Sequence, residues 1–238
     1  MNIGRGKYMR RLLTILIGCV LVMVPVAGEA ATERRIALII GNSNYTDAPL
    51  RNPVNDAVDM AAALKKLDFK AILKTNADQR TMKMSIRSFG KQLSKGGIGL
   101  FYFADHGIQY NGRNYLIPVR AEVQSEADVE FEAVDAGRVL AQMERAGNNL
   151  NIIILDACRN NPFARSFRSS QRGLAKMDAP TGSILAYSTA PGSVAADGTG
   201  RNGLYTQYLL KHISSSGNRL EDVFKQVRID VMRNTGKK

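Results

Sequence analysis

The sequence holds two histidines and two cysteines, and one of each stands just past a run of apolar residues. Residues 97–105 read GIGLFYFAD and are followed by His106 and Gly107; residues 151–157 read NIIILDA and are followed by Cys158 and Arg159. A thiol beside an imidazole is a nucleophile with its base, the pairing that acyl transfer requires. The two side chains are 52 positions apart, so only the fold can join them. Each run is continuous and rich in Ile, Leu, Phe or Tyr, as expected of a strand buried on both faces. In an open parallel sheet the C-terminal strand ends share one edge, and that edge is where α/β proteins place their sites.

Cysteine usage narrows the reading. The first 30 residues have the layout of a secretory signal peptide: Arg5, Lys7, Arg10 and Arg11, an apolar stretch over 12–27, then Gly28-Glu29-Ala30, with cleavage expected after Ala30. The expectation is export to a periplasmic or extracellular space, with a mature domain over 31–238. A membrane attachment is the alternative, through an uncleaved segment or through Leu16-Ile17-Gly18-Cys19 as a lipidation box. The apolar residues after Cys19 speak against lipidation, because a lipidated chain normally begins with a polar tether. Loss of the leader removes Cys19 and leaves Cys158 unable to form an internal disulfide. A lone thiol is commonly a small core hydrophobe. Cys158, however, follows its strand and is flanked by Asp156, Arg159 and Asn160.

The leader carries four basic residues and one acid, so its removal takes the net charge from +12 to +9. A concentrated surplus would suit nucleic acid or an anionic surface. Here the charge is dispersed, with no compact run and no aromatic stacking motif, so nucleic-acid binding is not expected. The one denser segment is Arg159, Arg165, Arg168, Arg172 and Lys176.

Around the two runs, periodicity predicts strands alternating with helices. Strands are expected over 35–40, 70–74, 97–105, 115–119, 151–156 and 183–188. Helices are expected over about 53–67, 79–94, 135–145, 204–213 and 220–232. Asn52 is the expected N-cap of the first helix, with Pro53 at its first position. Its apolar positions are Val54, Ala57, Val58, Ala61, Leu64 and Leu67. Met82, Ile86, Phe89 and Leu93 mark the core face of the second. Asn111-Gly112 is a hairpin-type turn, and 162–179 reads as a loop. His212 is placed at the surface or boundary of its helix. The alternation implies a single α/β domain with a mostly parallel sheet covered on both faces.

Asp156-Ala157-Cys158-Arg159-Asn160 differs from the QAC[RQG]G caspase signature at its first and last positions, while the histidine lies at the usual distance of about 50 residues upstream. RIALIIGNSNY, LRNPVNDA, YFADHG, NYLIPV, LDACRNNPF and AYSTAPG follow in order between Arg35 and Arg233. On these motifs the chain resembles the caspase-like cysteine peptidases, in particular the bacterial group related to metacaspases. The resemblance implies a three-layer α/β/α sandwich and a Cys–His dyad acting on protein or peptide substrates. Cys158 would be the nucleophile and His106 the acid and base. Backbone N–H groups of Gly107 and Cys158 would form the oxyanion hole. No third, orienting residue is evident. No cofactor is implied, and although some metacaspases depend on calcium, no clustered acidic loop here supports a metal site.

The resemblance also bears on specificity. Caspases that cut after aspartate use two arginines and the signature Gln around the P1 side chain; the matching positions here are Leu50, Asp197 and Asp156. Metacaspases line that pocket with acids, which here are Asp56 and Asp156. Acids repel a carboxylate and offer charge-assisted hydrogen bonds to Arg or Lys, so cleavage after Arg or Lys is expected. The arginines of 159–176 are then expected self-cleavage sites. Two departures from the family pattern stand out. Asp105 replaces the usual Gly or Ser before the histidine, where its carboxylate is expected to raise the imidazole pKa or to crowd the backbone. Relatives also continue past the last helix into a Trp-Glu-Ser-like stretch, and its loss is expected to weaken the sheet edge or the active-site loops. The rival expectations are a catalytically impaired caspase fold that binds peptides or partners, and an interaction protein using its basic face.

Overall fold

The computed structural model describes residues 33–46, 48–93, 96–157, 174–188, 200–214 and 217–236, all within one compact unit, Glu33–Lys238. The expected leader, Cys158, Asp197 and the basic residues 159–172 lie outside the described residues.

Five strands form one parallel sheet in the order β2-β1-β3-β7-β8: β1 (Arg35–Gly41), β2 (Lys70–Thr75), β3 (Ile98–Ala104), β7 (Leu150–Asp156) and β8 (Ser183–Tyr187). The three central strands are the continuous apolar runs, and each is buried from its second residue onward. Side chains alternate between two cores, because successive residues of a strand face opposite ways. Ile36, Leu38, Ile40, Phe101, Phe103, Ile153 and Leu155 meet α2 (Gln79–Leu93) and α4 (Gly137–Ala146). Ala37, Ile39, Leu100, Tyr102, Ile152 and Ile154 meet α1 (Pro53–Lys66), α5 (Leu204–Ile213) and α6 (Leu220–Asn234). The result is the expected α/β/α sandwich.

A second sheet of three antiparallel strands, β4 (Gly107–Tyr110), β5 (Arg113–Leu116) and β6 (Val134–Asp135), extends from the end of β3. Asn111 and Gly112 both have positive φ, 50° and 72°, as a two-residue hairpin turn requires. The short helix α3 (Val129–Glu132) precedes β6.

The structure corrects several expected boundaries. The helix expected from Asp135 begins at Gly137, because Asp135 pairs with Tyr115 in β6 and its carboxylate accepts the Gly137 N–H at 2.8 Å. The strand expected over 115–119 is Arg113–Leu116, and Pro118 has no N–H with which to continue a ladder. Val58 is 38% exposed, and Met60 supplies the buried contact on α1 instead. Asn52 stands at the N-cap without a side-chain capping bond; Ser43 Oγ accepts the Val54 N–H at 3.3 Å in its place. His212 is part-buried and meets Asp230 of α6 at 2.8 Å, so it joins two helices at the boundary.

Candidate active site

The sheet reverses its winding direction between β1 and β3: the chain runs outward from β1 to β2, then returns past β1 to β3, β7 and β8. The loop after β1 and the loop after β3 therefore open on the same crevice, where ligands enter α/β sheets. His106 stands in that crevice. The β3–β7 ladder ends at the pair Ala104–Asp156 and is continued by the Asp105 N–H donating to the Asp156 carbonyl at 3.3 Å.

His106 is 3% exposed. Its Nε2 lies 2.9 Å from the carbonyl oxygen of Ala48, in the loop after β1. A carbonyl only accepts, so Nε2 carries the proton and Nδ1 is the basic nitrogen of the neutral ring. The Tyr45 ring meets the imidazole edge-on, with centroids 4.9 Å apart. A third, orienting group therefore does exist, and it is a backbone oxygen. Its only trace in the sequence is Pro49, which biases Ala48 toward extended backbone.

Gly107 follows. A Cβ added there would lie 2.7 Å from the Ala157 carbonyl oxygen and 3.0 Å from Leu174 Cδ2. Glycine is thus required by close packing against the chain that leaves β7. The Ile117 N–H donates to the His106 carbonyl at 3.1 Å, making 106 and 117 a hydrogen-bonded pair. By antiparallel alternation the next pair, Gly107 and Leu116, is non-hydrogen-bonded, and the Gly107 N–H points away from β5.

Asp105 is fully buried without disrupting this turn. Its Oδ1 accepts hydrogen bonds from the Tyr45 hydroxyl and from the backbone N–H of His106. Burial, followed by the charge of Asp105, pushes the Tyr45 hydroxyl far above its ordinary pKa, so it remains a donor.

The two expected pocket acids occupy one face of the sheet. Asp156 continues the alternation of Ile152 and Ile154 toward α1 and α5, and Asp56 comes from the first turn of α1. Their exposures are 2% and 0%. Asp56 Oδ1 accepts the Gly203 N–H at 2.9 Å, and Asp156 Oδ2 accepts the Thr206 hydroxyl at 2.8 Å. Thr206 in turn meets the Tyr102 hydroxyl. Both carboxylates thus sit at the first turn of α5, where the helix dipole favours negative charge. Their field and burial raise the Tyr102 hydroxyl well above its ordinary pKa, burial first. Arg201 makes a bidentate ion pair with Asp59 at 2.8 and 3.0 Å, Asn202 adds a bond to the same carboxylate, and Asn55 donates to the Arg201 carbonyl, so α1 holds the entrance to α5. Among the described residues no group of three or more His, Cys, Asp or Glu gathers as a metal site.

Residues 34–238 match the family model for the caspase domain. The chain belongs to the caspase-domain family. Within that family it is 30% identical over 132 residues to "Mucosa-associated lymphoid tissue lymphoma translocation protein 1" of Homo sapiens, and 29% identical over 133 residues to the Mus musculus homolog. These alignments cover 55% and 56% of this chain and 16% of each relative, so the caspase domain matches a small part of those proteins. Of the expected site residues that are described, His106 and Gly107 stand just past β3, and Asp56 and Asp156 meet the first turn of α5. Ala48, Tyr45, Tyr102 and Thr206, which surround them, carry no local signal in the sequence because their contacts are long-range.

Proposed function

We propose that this caspase domain is a cysteine endopeptidase that cuts after Arg or Lys, with Cys158 as nucleophile and His106 as acid and base. The observation that carries the reading is the packing of Ala157 on Gly107. The residue before Cys158 lies against the residue after His106, at the edge where β3 and β7 end together.

In the proposed reaction, Nδ1 of His106 takes the thiol proton while Sγ of Cys158 attacks the scissile carbonyl carbon. The carbonyl electrons pass to an oxyanion, which the N–H groups of Gly107 and Cys158 receive. The imidazolium then gives its proton to the leaving amine as the C–N bond breaks, and water, activated by the same nitrogen, hydrolyses the thioester. The Ala48 carbonyl holds Nε2–H throughout, which keeps Nδ1 as the working atom.

Asp56 and Asp156 support a cationic P1 residue. Two carboxylates gathered on one face of α1 and β7 repel a P1 carboxylate and attract a guanidinium or ammonium group. Asp197, outside the described residues, belongs to the same proposal on the family resemblance alone.

Hydrolysis of fluorogenic peptides with P1 Arg, Lys or Asp, by the protein and by Cys158→Ala, tests the reading. Turnover confined to Arg and Lys and absent from Cys158→Ala is expected. An intact protein that cleaves none of them would favour the non-enzymatic reading, a caspase fold that binds peptides or partners.

A further inference from the structure

We infer that Asp105 and Tyr45 are positioning residues for His106, a side-chain buckle that fixes the ring through the loop carrying Ala48. The inference rests on the reading of His106 as acid and base and adds two residues to it.

A backbone carbonyl can orient a histidine only as well as its own loop is held. The start of the loop after β1 is well tied: Ala77 N–H donates to Asn42 Oδ1 at 2.7 Å, and Ser43 and Asn44 N–H groups donate to Asn76 Oδ1 at 2.9 and 3.1 Å. Beyond Asn44 the Tyr45 and Leu50 N–H groups both donate to the Ser43 carbonyl at 3.0 Å, and a side chain adds the next tie. Tyr45 reaches across the crevice and brings its hydroxyl to Asp105 Oδ1 and to the Ile117 carbonyl, the latter at 2.7 Å. The Asp105 oxygen that takes this hydroxyl also takes the backbone N–H of His106. One carboxylate oxygen thereby joins the loop that bears the orienting carbonyl to the backbone of the residue it orients. The Ile117 N–H closes the arrangement by donating to the His106 carbonyl at 3.1 Å.

The Tyr45 ring adds steric definition. It meets the imidazole edge-on at 65°, which limits rotation of the ring out of its own plane. Burial of Asp105 at 0% exposure and of His106 at 3% keeps water from replacing these contacts. The acid that departs from the family pattern thus faces the Tyr45 hydroxyl and a backbone amide, both donors.

The chain's two histidines make a direct test possible. Long-range proton–nitrogen NMR spectra of 15N-histidine protein, with His212→Gln for assignment, report which nitrogen of His106 is protonated. The expected result is a single Nε2–H tautomer in the unmodified protein. In Tyr45→Phe, loss of one hydrogen bond raises the Nδ1–H form about fivefold, with the melting temperature showing the fold intact. Asp105→Asn keeps one oxygen able to accept both the His106 N–H and the Tyr45 hydroxyl, and is expected to retain the original tautomer where Asp105→Ala loses it. With P1-Arg peptide, kcat of Tyr45→Phe should fall about tenfold at nearly constant KM, as misplacement of a bound catalytic group does. Unchanged His106 nitrogen shifts in Tyr45→Phe overturn the inference, whatever the peptidase rates do. A protein that cleaves nothing sinks the proposed function, and the nitrogen shifts still decide the positioning role.

Discussion

The imidazole of His106 and the carbonyl of Ala48, 58 residues earlier in the chain, meet at 2.9 Å across the switch point of the sheet. This relationship gives the ring a direction. Nε2 is committed to the scaffold through a backbone oxygen, and in the proposed reaction the proton moves through Nδ1. A peptide oxygen cannot be titrated in the working pH range, so the orientation persists whether the ring is neutral or cationic.

His106→Gln separates those two duties. The Gln amide still offers an N–H to the Ala48 carbonyl, yet it carries no proton between the thiol and the leaving amine. The variant is expected to melt within a few degrees of the original protein, while kcat on P1-Arg peptides falls by about 100- to 10,000-fold. Thermal melting and steady-state hydrolysis together check this. Activity close to that of the unmodified protein would remove His106 from the mechanism.

Gly107→Ala is expected to damage both fold and site. The new Cβ would stand 2.7 Å from a backbone oxygen of Ala157, and backbone yields less readily than a side chain. Such overpacking costs about 1–3 kcal/mol. The strain falls between the two proposed catalytic residues, so kcat should drop further than the unfolding midpoint alone explains. Denaturant unfolding alongside hydrolysis by the folded fraction makes the comparison. An alanine variant with normal stability would show that the contact is relaxed at little cost.

Thr206→Val removes the hydroxyl that meets both Asp156 and Tyr102 while keeping the side-chain volume. Two buried polar groups then lose a partner, and destabilisation of about 1–3 kcal/mol is expected. A less firmly held Asp156 should also raise KM for P1-Arg peptides more than it lowers kcat. Thr206→Ser, which keeps the hydroxyl, should restore both. Equal behaviour of the Val and Ser variants would remove Thr206 from the pocket.

What the sequence made legible follows from where the information sits. β1, β3 and β7 were readable because strands buried on both faces must be apolar throughout, and Asn111-Gly112 was readable because its turn needs positive φ twice. Asp56 and Asp156 could be picked out by motif. β6, with two residues, has no periodicity to detect; its pairing with Tyr115 and Leu116 creates it. Ala48 contributes only an oxygen that any residue would have. Tyr45 and Thr206 look like an ordinary loop aromatic and an ordinary helix threonine until the fold brings Asp105 and Asp156 to them. Val58 was misplaced because α1 turns Met60 inward, and only the packed partners decide which edge of an apolar stripe is covered.

The ion pair between Asp59 and Arg201 gives a pH-dependent prediction at the entrance to α5. The Arg201 guanidinium, hydrogen-bonded to Asp59, holds this carboxyl below its ordinary range. A depressed folded-state pKa contributes stability that is present above the unfolded value, near 4, and is lost as pH falls through the folded value. Arg201 is largely exposed, so solvent screening keeps the contribution small. Asp78, Asp128 and Asp230 are shifted in the same direction, and the total acid sensitivity of the protein therefore cannot be credited to Asp59. The informative quantity is the stability difference between the original protein and Asp59→Asn, measured by urea unfolding from about pH 6 to pH 2. That difference should be constant above about pH 5 and shrink as the solution becomes more acidic. A difference independent of pH would show that the carboxylate's charge adds nothing to the clamp. The neutral contacts of Asn55 and Asn202 would then hold Gly203, and with it the donor to Asp56, on their own.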